Sequence, residues 1–170
     1  MNSPPPAGLN SSGVNGGRGS QQYLSFLLGG QEYGADILRV QEIKGWDSVT
    51  RVPYSPKYVL GVINLRGAIV PVIDLRIRFN LERVPYDSTT VIVVVHVPGD
   101  RGERTVGIVV DAVADVYNVA AENIKAPPDV LGAIERVFVK GLADQDGKLL
   151  ILLDIELLVT SSVTGDKKVV

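Results

Sequence analysis

Three charged residues interrupt an otherwise apolar run, NLRGAIVPVIDLR, at positions 64 to 76. They are Arg66, Asp74 and Arg76, residue types that serve in catalysis, in anion binding and in ion pairs. An arginine guanidinium can hold a carboxylate or a phosphate through two parallel hydrogen bonds. The stretch therefore raises three hypotheses: a catalytic site, a surface that binds a partner, and the end of a strand.

The residue types that catalysis requires are scarce elsewhere in the chain. Cysteine is absent and His96 is the only histidine, so thiolate chemistry and a zinc site of imidazoles or thiolates are excluded. No Gly-x-Ser-x-Gly nucleophile elbow occurs. His96 stands near the end of an alternating apolar stretch, VIVVVHVPG, which predicts a surface or edge histidine. We therefore expect no catalytic residue, no metal site, no cofactor and no enzymatic activity.

The stretch GLADQDGK, residues 141 to 148, resembles a phosphate-binding loop only superficially. Five residues separate its glycines, and Leu149 stands where that loop needs a hydroxyl side chain to bind Mg²⁺. The dipeptide Asp146-Gly147 is instead a favoured hairpin turn. We interpret the stretch as a turn with exposed carboxylates.

Length, composition and charge exclude several classes of function. The chain has 170 residues, of which 45% are hydrophobic and 21% charged, which is typical of one globular domain or two very small ones. A net charge of −2 with scattered lysines and arginines provides no basic field for nucleic acid. No apolar stretch approaches the ~18 residues of a membrane span, and no signal peptide is recognisable. We expect a cytoplasmic protein that does not insert into membranes.

Turn signals divide the chain into short segments. Residues 1–22 are mostly Pro, Gly, Ser and Asn and are predicted to be a disordered tail, and residues 161–170 a second, flexible tail. Between them, over about 23–160, short apolar or alternating runs predict an all-β protein with short helices. A longer polar loop is predicted over Pro98–Arg104, between the two strands of the hairpin in residues 89–111.

Several residues recur at constant offsets along the chain. Gly61, Gly67 and Asp74 recur 80 positions later as Gly141, Gly147 and Asp154, and Gly34, Val40, Glu42 and Ile43 recur 73 positions later as Gly107, Val113, Asp115 and Val116. The recurrence predicts a duplicated unit of about five short strands, the size of a small closed barrel without exposed edges. We expect two barrels side by side, over approximately 23–84 and 85–160.

The repeat also suggests local roles for single residues. Asp74 and Asp154 each precede a helical pattern and are predicted to cap it. Gly61 and Gly107 fit a bulge or a tight barrel corner, and Gly67 fits a hairpin tip. Pro71 is expected at an edge or bulge of the following strand, and Arg76 is expected to be a solvated helix residue.

Two-sided apolar strands predict a second packing surface. In the stretch Val91–Val95, the odd-numbered and the even-numbered residues are both apolar, so apolar side chains point to both faces of the strand. The interior of one small barrel can bury only one of these faces. Some of these side chains must face a neighbouring barrel or another protein.

Four motifs then carry a family resemblance. VQEIKGWDSVTRVP, NLRG-x-I-x-PVIDLR, GIVVD-x-V and LLDIE occur in this order between about Gln22 and Val159. They resemble CheW, the chemotaxis coupling family, whose fold is shared by the regulatory domain of the histidine kinase CheA. The resemblance implies two SH3-like, five-stranded β-barrels and an adaptor without enzymatic activity. Such an adaptor couples the cytoplasmic tips of chemoreceptors, the methyl-accepting chemotaxis proteins, to CheA and supports kinase activation and array assembly.

The resemblance further implies which residues meet these partners. The receptor tip is expected in the groove between the barrels, and CheA on their outer surfaces, with the protein recruited to membrane receptor arrays. The implied groove residues are Ile37, Val40, Glu42 and Val91. Arg66 is expected to pair with Glu42 across adjacent strands near both partner surfaces, and the alternative is two unconnected solvated charges.

Two further alternatives stay open from the sequence. The protein could be a peptide- or ligand-binding SH3-like double barrel outside chemotaxis. It could equally serve a related motility or developmental pathway. The loop in HVPGDRGERTVG is longer than the family leads us to expect, and the N-terminal tail matches no family motif.

Overall fold

The computed structural model describes residues 19–99, 102–128 and 136–163. These ranges contain eleven strands, which are β1 (Ser20–Leu28), β2 (Gln31–Asp36), β3 (Val40–Gly45), β4 (Val59–Leu65), β5 (Ala68–Asp74), β6 (Val91–Gly99), β7 (Gly102–Val110), β8 (Ala112–Ala120), β9 (Ile124–Lys125), β10 (Val139–Gln145) and β11 (Lys148–Leu153). They also contain two α-helices, α1 (Leu75–Arg78) and α2 (Ile155–Val163), and three 3-10 turns, Ile37–Arg39, Ala121–Asn123 and Arg136–Phe138. The prediction of an all-β protein with short helices is confirmed.

The strands form two sheets. The six-stranded sheet has the order β8-β1-β2-β11-β10-β9, and the five-stranded sheet has the order β3-β6-β7-β5-β4. All neighbours are antiparallel except β2 with β11 and β5 with β7, which are parallel.

The first hairpin of each repeat is exchanged between the sheets. Strands β1 and β2 pair with β8 and β11 from the second half of the chain, while β6 and β7 pair with β3 and β5 from the first half. The predicted division into one barrel over 23–84 and another over 85–160 therefore does not hold. The predicted division follows from the usual rule that consecutive strands neighbour each other, and the exchange of hairpins departs from that rule.

The two parallel pairings repeat the offsets found in the sequence. Gly34 lies opposite Leu152, and Gly107 lies opposite Val72. The two glycines are 73 positions apart and their partners 80 positions apart, so each glycine-containing strand of one repeat meets the closing hairpin of the other. The duplication is thus preserved in the strand pairing.

Chain connections bring the two edges of each sheet together. β8 and β9 lie at opposite edges of the six-stranded sheet, yet only Ala121–Asn123 separates them. In the five-stranded sheet, the segment after the edge strand β3 first continues beside β6, where the Trp46 N–H donates to the Thr90 carbonyl. It then reaches the opposite edge strand, because Thr50 is bridged to Val62 on β4. Both sheets must therefore curl, and their full closure into SH3-like barrels stays a prediction.

The apolar core is divided among three clusters by the alternation of strand residues. On β6, Val93, Val95 and Val97 pack in the largest cluster, which lies between the sheets, whereas Ile92 and Val94 point to a cluster on the opposite face. On β11, Ile151 and Leu153 join the inter-sheet cluster, and Leu150 and Leu152 a third cluster within the six-stranded sheet. The two-sided apolar strands thus cover the neighbouring sheet, as predicted.

Three boundaries differ from those predicted. β1 begins at Ser20, inside the predicted tail, because Ser20–Gln22 pair through their backbones with β8 and need no apolar side chains for this. α2 continues to Val163, so the predicted C-terminal tail begins too early. The hairpin of β6 and β7 remains paired out to Gly99 and Gly102, which shortens the predicted loop Pro98–Arg104. The rest of both tails lies outside the described residues.

Candidate partner-binding surface

Arg66 stands at the tip of the hairpin between β4 and β5. Its backbone φ is 51°, and Gly67 follows at 92°, the pair of positive values that a tight hairpin turn requires. The Gly67 N–H donates to Asn64 Oδ1 at 2.8 Å, which fixes the turn further. Asp146 and Gly147 form the equivalent turn between β10 and β11. The turn directs the Arg66 side chain to solvent, where it is 65% exposed.

The Arg66 guanidinium forms a forked ion pair with Glu42 of β3. Nη2 is hydrogen-bonded to Oε1, and Nη1 lies 3.5 Å from Oε2. The hydrogen bond from Arg66 lowers the pKa of Glu42, and Glu42 in turn raises the pKa of Arg66. The two charges therefore form one oriented, exposed group, and the alternative of two unconnected charges does not apply.

The position of this ion pair in the sheet corrects the prediction of adjacent strands. β3 and β4 are the two edge strands of the five-stranded sheet. Arg66 reaches Glu42 because the sheet curls and its edges approach each other. The pair thus spans the opening between the two edges, and its remaining hydrogen-bonding capacity faces solvent.

The other predicted groove residues do not form one compact set. Ile37, Val40 and Val91 are half-buried and pack against the inter-sheet cluster. Val40 begins β3, whereas Val91 lies opposite Gly45 at the other end of that strand. At ~3.3 Å per residue, this places Val91 roughly 15 Å from Val40 along the strand. Ile37 and Val40 are close in the chain, and Val91 marks the far end of the same surface.

The predicted structural glycines have two different roles. Gly61 has φ of 152° and lies at a bulge in the pairing of β4 with β5. A Cβ atom there would lie 2.1 Å from the Thr50 carbonyl oxygen, so only glycine allows the chain to cross at this point. At Gly107 a Cβ would lie 2.8 Å from Ile92 Cγ2, which makes this a position of close packing.

Asp74 and Asp154 both cap helices. Asp74 Oδ1 accepts hydrogen bonds from the backbone N–H groups of Arg76 at 2.9 Å and Ile77 at 3.3 Å. Asp154 Oδ1 accepts from the Leu157 N–H at 3.0 Å. Asp74 is buried and also accepts a hydrogen bond from the Tyr86 hydroxyl.

Tyr86 illustrates the environment of this cap. Burial is the main cause, and the hydrogen bond to Asp74 the second, of a pKa of Tyr86 that is raised to about 12. The Tyr86 ring packs on Trp46 with 4.2 Å between centroids. These contacts give Asp74 a structural role at the start of the helix.

Arg76 was expected to be solvated, and the structure corrects this. Its Nε and Nη2 atoms donate to the two carboxylate oxygens of Asp111 at 2.9 and 2.8 Å, and its side chain is only 17% exposed. No local pattern indicates this pair, because the two residues are 35 positions apart in the chain. Sequence reasoning also passed over the exposed Tyr54, although its position between two prolines in VPYSP was a signal.

Residues 19–99, 102–128 and 136–163 contain neither a membrane-spanning helix nor a cluster of metal-binding side chains. No helix there is long and apolar enough to cross a bilayer. In the same ranges, no three His, Cys, Asp or Glu side chains are grouped so that they could hold a metal ion. The His96 ring is hydrogen-bonded to Glu103 at the surface, with 2.7 Å between Nδ1 and Oε1.

The fold and its surface define an all-β protein of two packed sheets, built from a tandem repeat, with an oriented charged pair at an open sheet edge. Residues 22–163 match the family model described as the CheW-like domain. The chain belongs to the CheW family.

Relatives from several bacteria support this assignment. The chain is 47% identical over 141 residues to "Chemotaxis protein CheW" of Klebsiella aerogenes, covering 83% of this chain and 82% of that one. It is 38% identical over 141 residues to "Probable chemotaxis protein CheW" of Rhizobium etli, covering 83% and 88%. A solved structure, the scaffolding protein TtCheW from Thermoanaerobacter tengcongensis, superposes with a TM-score of 0.73 at 35% identity, over 81% of this chain and 86% of that one.

Proposed function

We infer that this protein couples chemoreceptors to the histidine kinase CheA as a non-enzymatic adaptor. The observation that carries this proposal is the 47% identity to a CheW over 141 residues. The family-model match over residues 22–163 covers strands of both sheets and the Arg66 turn. The adaptor would act by holding the receptor tip and the kinase in one geometry, in the cytoplasm and at membrane receptor arrays. It would support kinase activation and array assembly.

The groove between the sheets is the proposed site for the receptor tip. Ile37, Val40 and Val91 support this, because they lie at the margin of the inter-sheet cluster and keep part of their apolar surface accessible. A helical hairpin could cover that surface with its own apolar face. The regulatory domain of CheA would then occupy the outer surfaces of the sheets.

The Arg66–Glu42 pair is the proposed orienting contact between these partners. An exposed pair adds little stability, since both partners remain solvated and salt screens their attraction. A guanidinium held in a fixed position at a sheet edge can instead bind a partner carboxylate in one orientation and disfavour other orientations. Its contribution would be to specificity.

Reconstitution tests the proposal. Receptor-containing membranes and CheA are mixed with and without this protein, and kinase autophosphorylation and co-sedimentation are measured. We expect both the kinase activity and the sedimented fraction of CheA to rise when the protein is present. Unchanged activity together with a protein that stays in the supernatant would disprove the coupling role.

A further inference from the structure

Residues 51–57 form a loop, here called the Tyr54 loop, whose tyrosine side chain is not buried by the rest of the protein. Tyr54 is fully exposed, so burial of this residue contributes nothing to the stability of the fold. Aromatic side chains normally bury much of their large apolar surface. Val52 beside it is 40% exposed. The loop therefore leaves an aromatic side chain and an aliphatic one in water at the same tip.

The backbone at Tyr54 is strained as well. Its φ is 60°, a left-handed value that bulky residues rarely adopt, and it follows Pro53 in a turn position where glycine or asparagine is usual. The other non-glycine residues with positive φ have local reasons: Arg66 and Asp146 precede glycines in hairpin turns, and Asn80 is of a type that tolerates this conformation. A strained residue without a structural role indicates a functional one.

The loop is nevertheless rigid. Pro53 and Pro56 fix two of its φ angles, and Ser55 Oγ donates to the Val52 carbonyl at 2.8 Å. The Val59 N–H donates to the Pro56 carbonyl at 3.0 Å, which closes the second turn. A preformed loop loses little conformational entropy on binding. Tyr54 is thus held in place before any partner arrives.

The charge of the loop indicates the chemistry of its partner. Arg51 and Lys57 are exposed at its two ends, and the loop contains no acidic residue. Neither cation is in an ion pair with any residue that the structure describes. The whole chain, in contrast, carries a net charge of −2. Two free cations beside an aromatic side chain are complementary to an acidic segment with an apolar or planar group between its carboxylates.

No side chain of residues 51–57 packs on the inter-sheet cluster, although Tyr58, the next residue in the chain, does. Val49 and Leu60, which flank it, pack on the cluster inside the five-stranded sheet, whereas Ile37 and Val40 pack on the inter-sheet cluster. β4 separates the loop from the Arg66 turn, and its seven residues span roughly 20 Å. The Tyr54 loop is therefore distant from the Arg66 turn, and its own side chains stay outside the inter-sheet cluster.

We propose that the Tyr54 loop is a second docking site, which takes an acidic segment of CheA with Tyr54 as the anchor and Arg51 and Lys57 as flanking cations. The assignment to the kinase rests on the proposed function, in which the receptor occupies the groove and the kinase the outer surfaces.

Substitutions at Tyr54 separate binding from folding. The full chain is titrated with full-length CheA and, separately, with the receptor cytoplasmic fragment. Tyr54→Asn suits the positive φ, so its melting temperature should equal or exceed that of the wild type, while its affinity for CheA falls about tenfold. Tyr54→Phe should keep most of the affinity for CheA. Receptor binding should be unchanged in both variants.

A matched pair of charge reversals tests the flanking cations. Arg51→Glu with Lys57→Glu should weaken CheA binding and reduce its salt dependence. Lys125→Glu with Lys148→Glu changes the net charge equally but lies on the six-stranded sheet, and it should weaken CheA binding much less than the reversal in the Tyr54 loop.

The possible outcomes are distinct. If Tyr54→Asn binds CheA within about twofold of the wild type, or if the two charge reversals weaken binding equally, the loop is not the docking site. Loss of receptor binding instead of kinase binding would overturn the assignment to CheA. A wild-type protein that binds neither partner would overturn the proposed function itself.

Discussion

Arg76 and Asp111 form a bidentate ion pair at the junction of the two sheets. Asp111 stands between β7 of one sheet and β8 of the other, and its Oδ2 also accepts from the Gly29 N–H at 2.8 Å. Arg76 in α1 additionally donates from Nη1 to the Glu82 carbonyl at 2.9 Å. The pair therefore ties a helix, a hairpin turn and the connection between the sheets to one another.

Asp111→Asn is expected to destabilise the protein by about 2 kcal/mol, because it removes a charged acceptor from a mostly buried arginine. Arg76→Lys should cost less than Arg76→Ala, since an ammonium keeps the charge but not the fork. Urea unfolding of the single and double variants gives the coupling energy. Additive losses would show that the pair does not act as a unit.

Acid stability should depend on the same carboxylate. Burial opposes ionisation of Asp111, but the hydrogen bonds from Arg76 and the Gly29 N–H outweigh it, so its pKa lies below the ordinary value. A group with a lowered pKa stabilises the fold above the unfolded pKa of about 3.9, and this contribution is lost as the pH falls further. The free energy of unfolding should decline more steeply below about pH 4 in the wild type than in Asp111→Asn. Parallel curves would contradict this.

Charge reversal at Arg66 should separate coupling from stability. Arg66→Glu places two carboxylates together at an exposed site, so the melting temperature should change little, while reconstituted kinase activation falls. The double variant with Glu42→Arg restores the pair with reversed polarity and tests whether partners read its orientation. A sharp fall in melting temperature for Arg66→Glu would mark Arg66 as structural.

Replacement by alanine should destabilise the protein more at Gly61 than at Gly67. Gly67→Ala has open space around its Cβ and should cost about 1 kcal/mol for its positive φ. Gly61→Ala must also displace the Thr50 carbonyl and break its bridge to Val62, and should cost about 4 kcal/mol. Thermal unfolding of both variants checks the order. Equal losses would mean that the crossing at Thr50 adjusts freely.

Local features of this fold were predictable from the sequence because short-range chemistry determines them. The dipeptides Arg66-Gly67 and Asp146-Gly147 form the turns that their residue types favour, and Asp74 and Asp154 accept the N–H groups of helices that begin beside them. The ion pair between Glu42 and Arg66 was expected from the family resemblance.

Relationships between distant segments were not predictable. The exchange of the first hairpins and the pairing of Arg76 with Asp111 depend on which strands meet in three dimensions, and alternating patterns do not encode this. The location of the Arg66–Glu42 pair at the sheet edges was not predictable for the same reason. The strain at Tyr54 is recognised from its backbone φ angle, which cannot be read from a residue pattern.

The exchanged hairpins have a consequence for biosynthesis. Ser20 is among the first residues of β1, yet its partner in the sheet is Ala120, and β2 waits for Leu150–Leu152 near the end of the chain. A ribosome must therefore release most of the polypeptide before either sheet can be completed, and the N-terminal hairpin spends that time without its neighbours. Neither half of the chain contains all the strands of either sheet, so neither half can complete a sheet by itself.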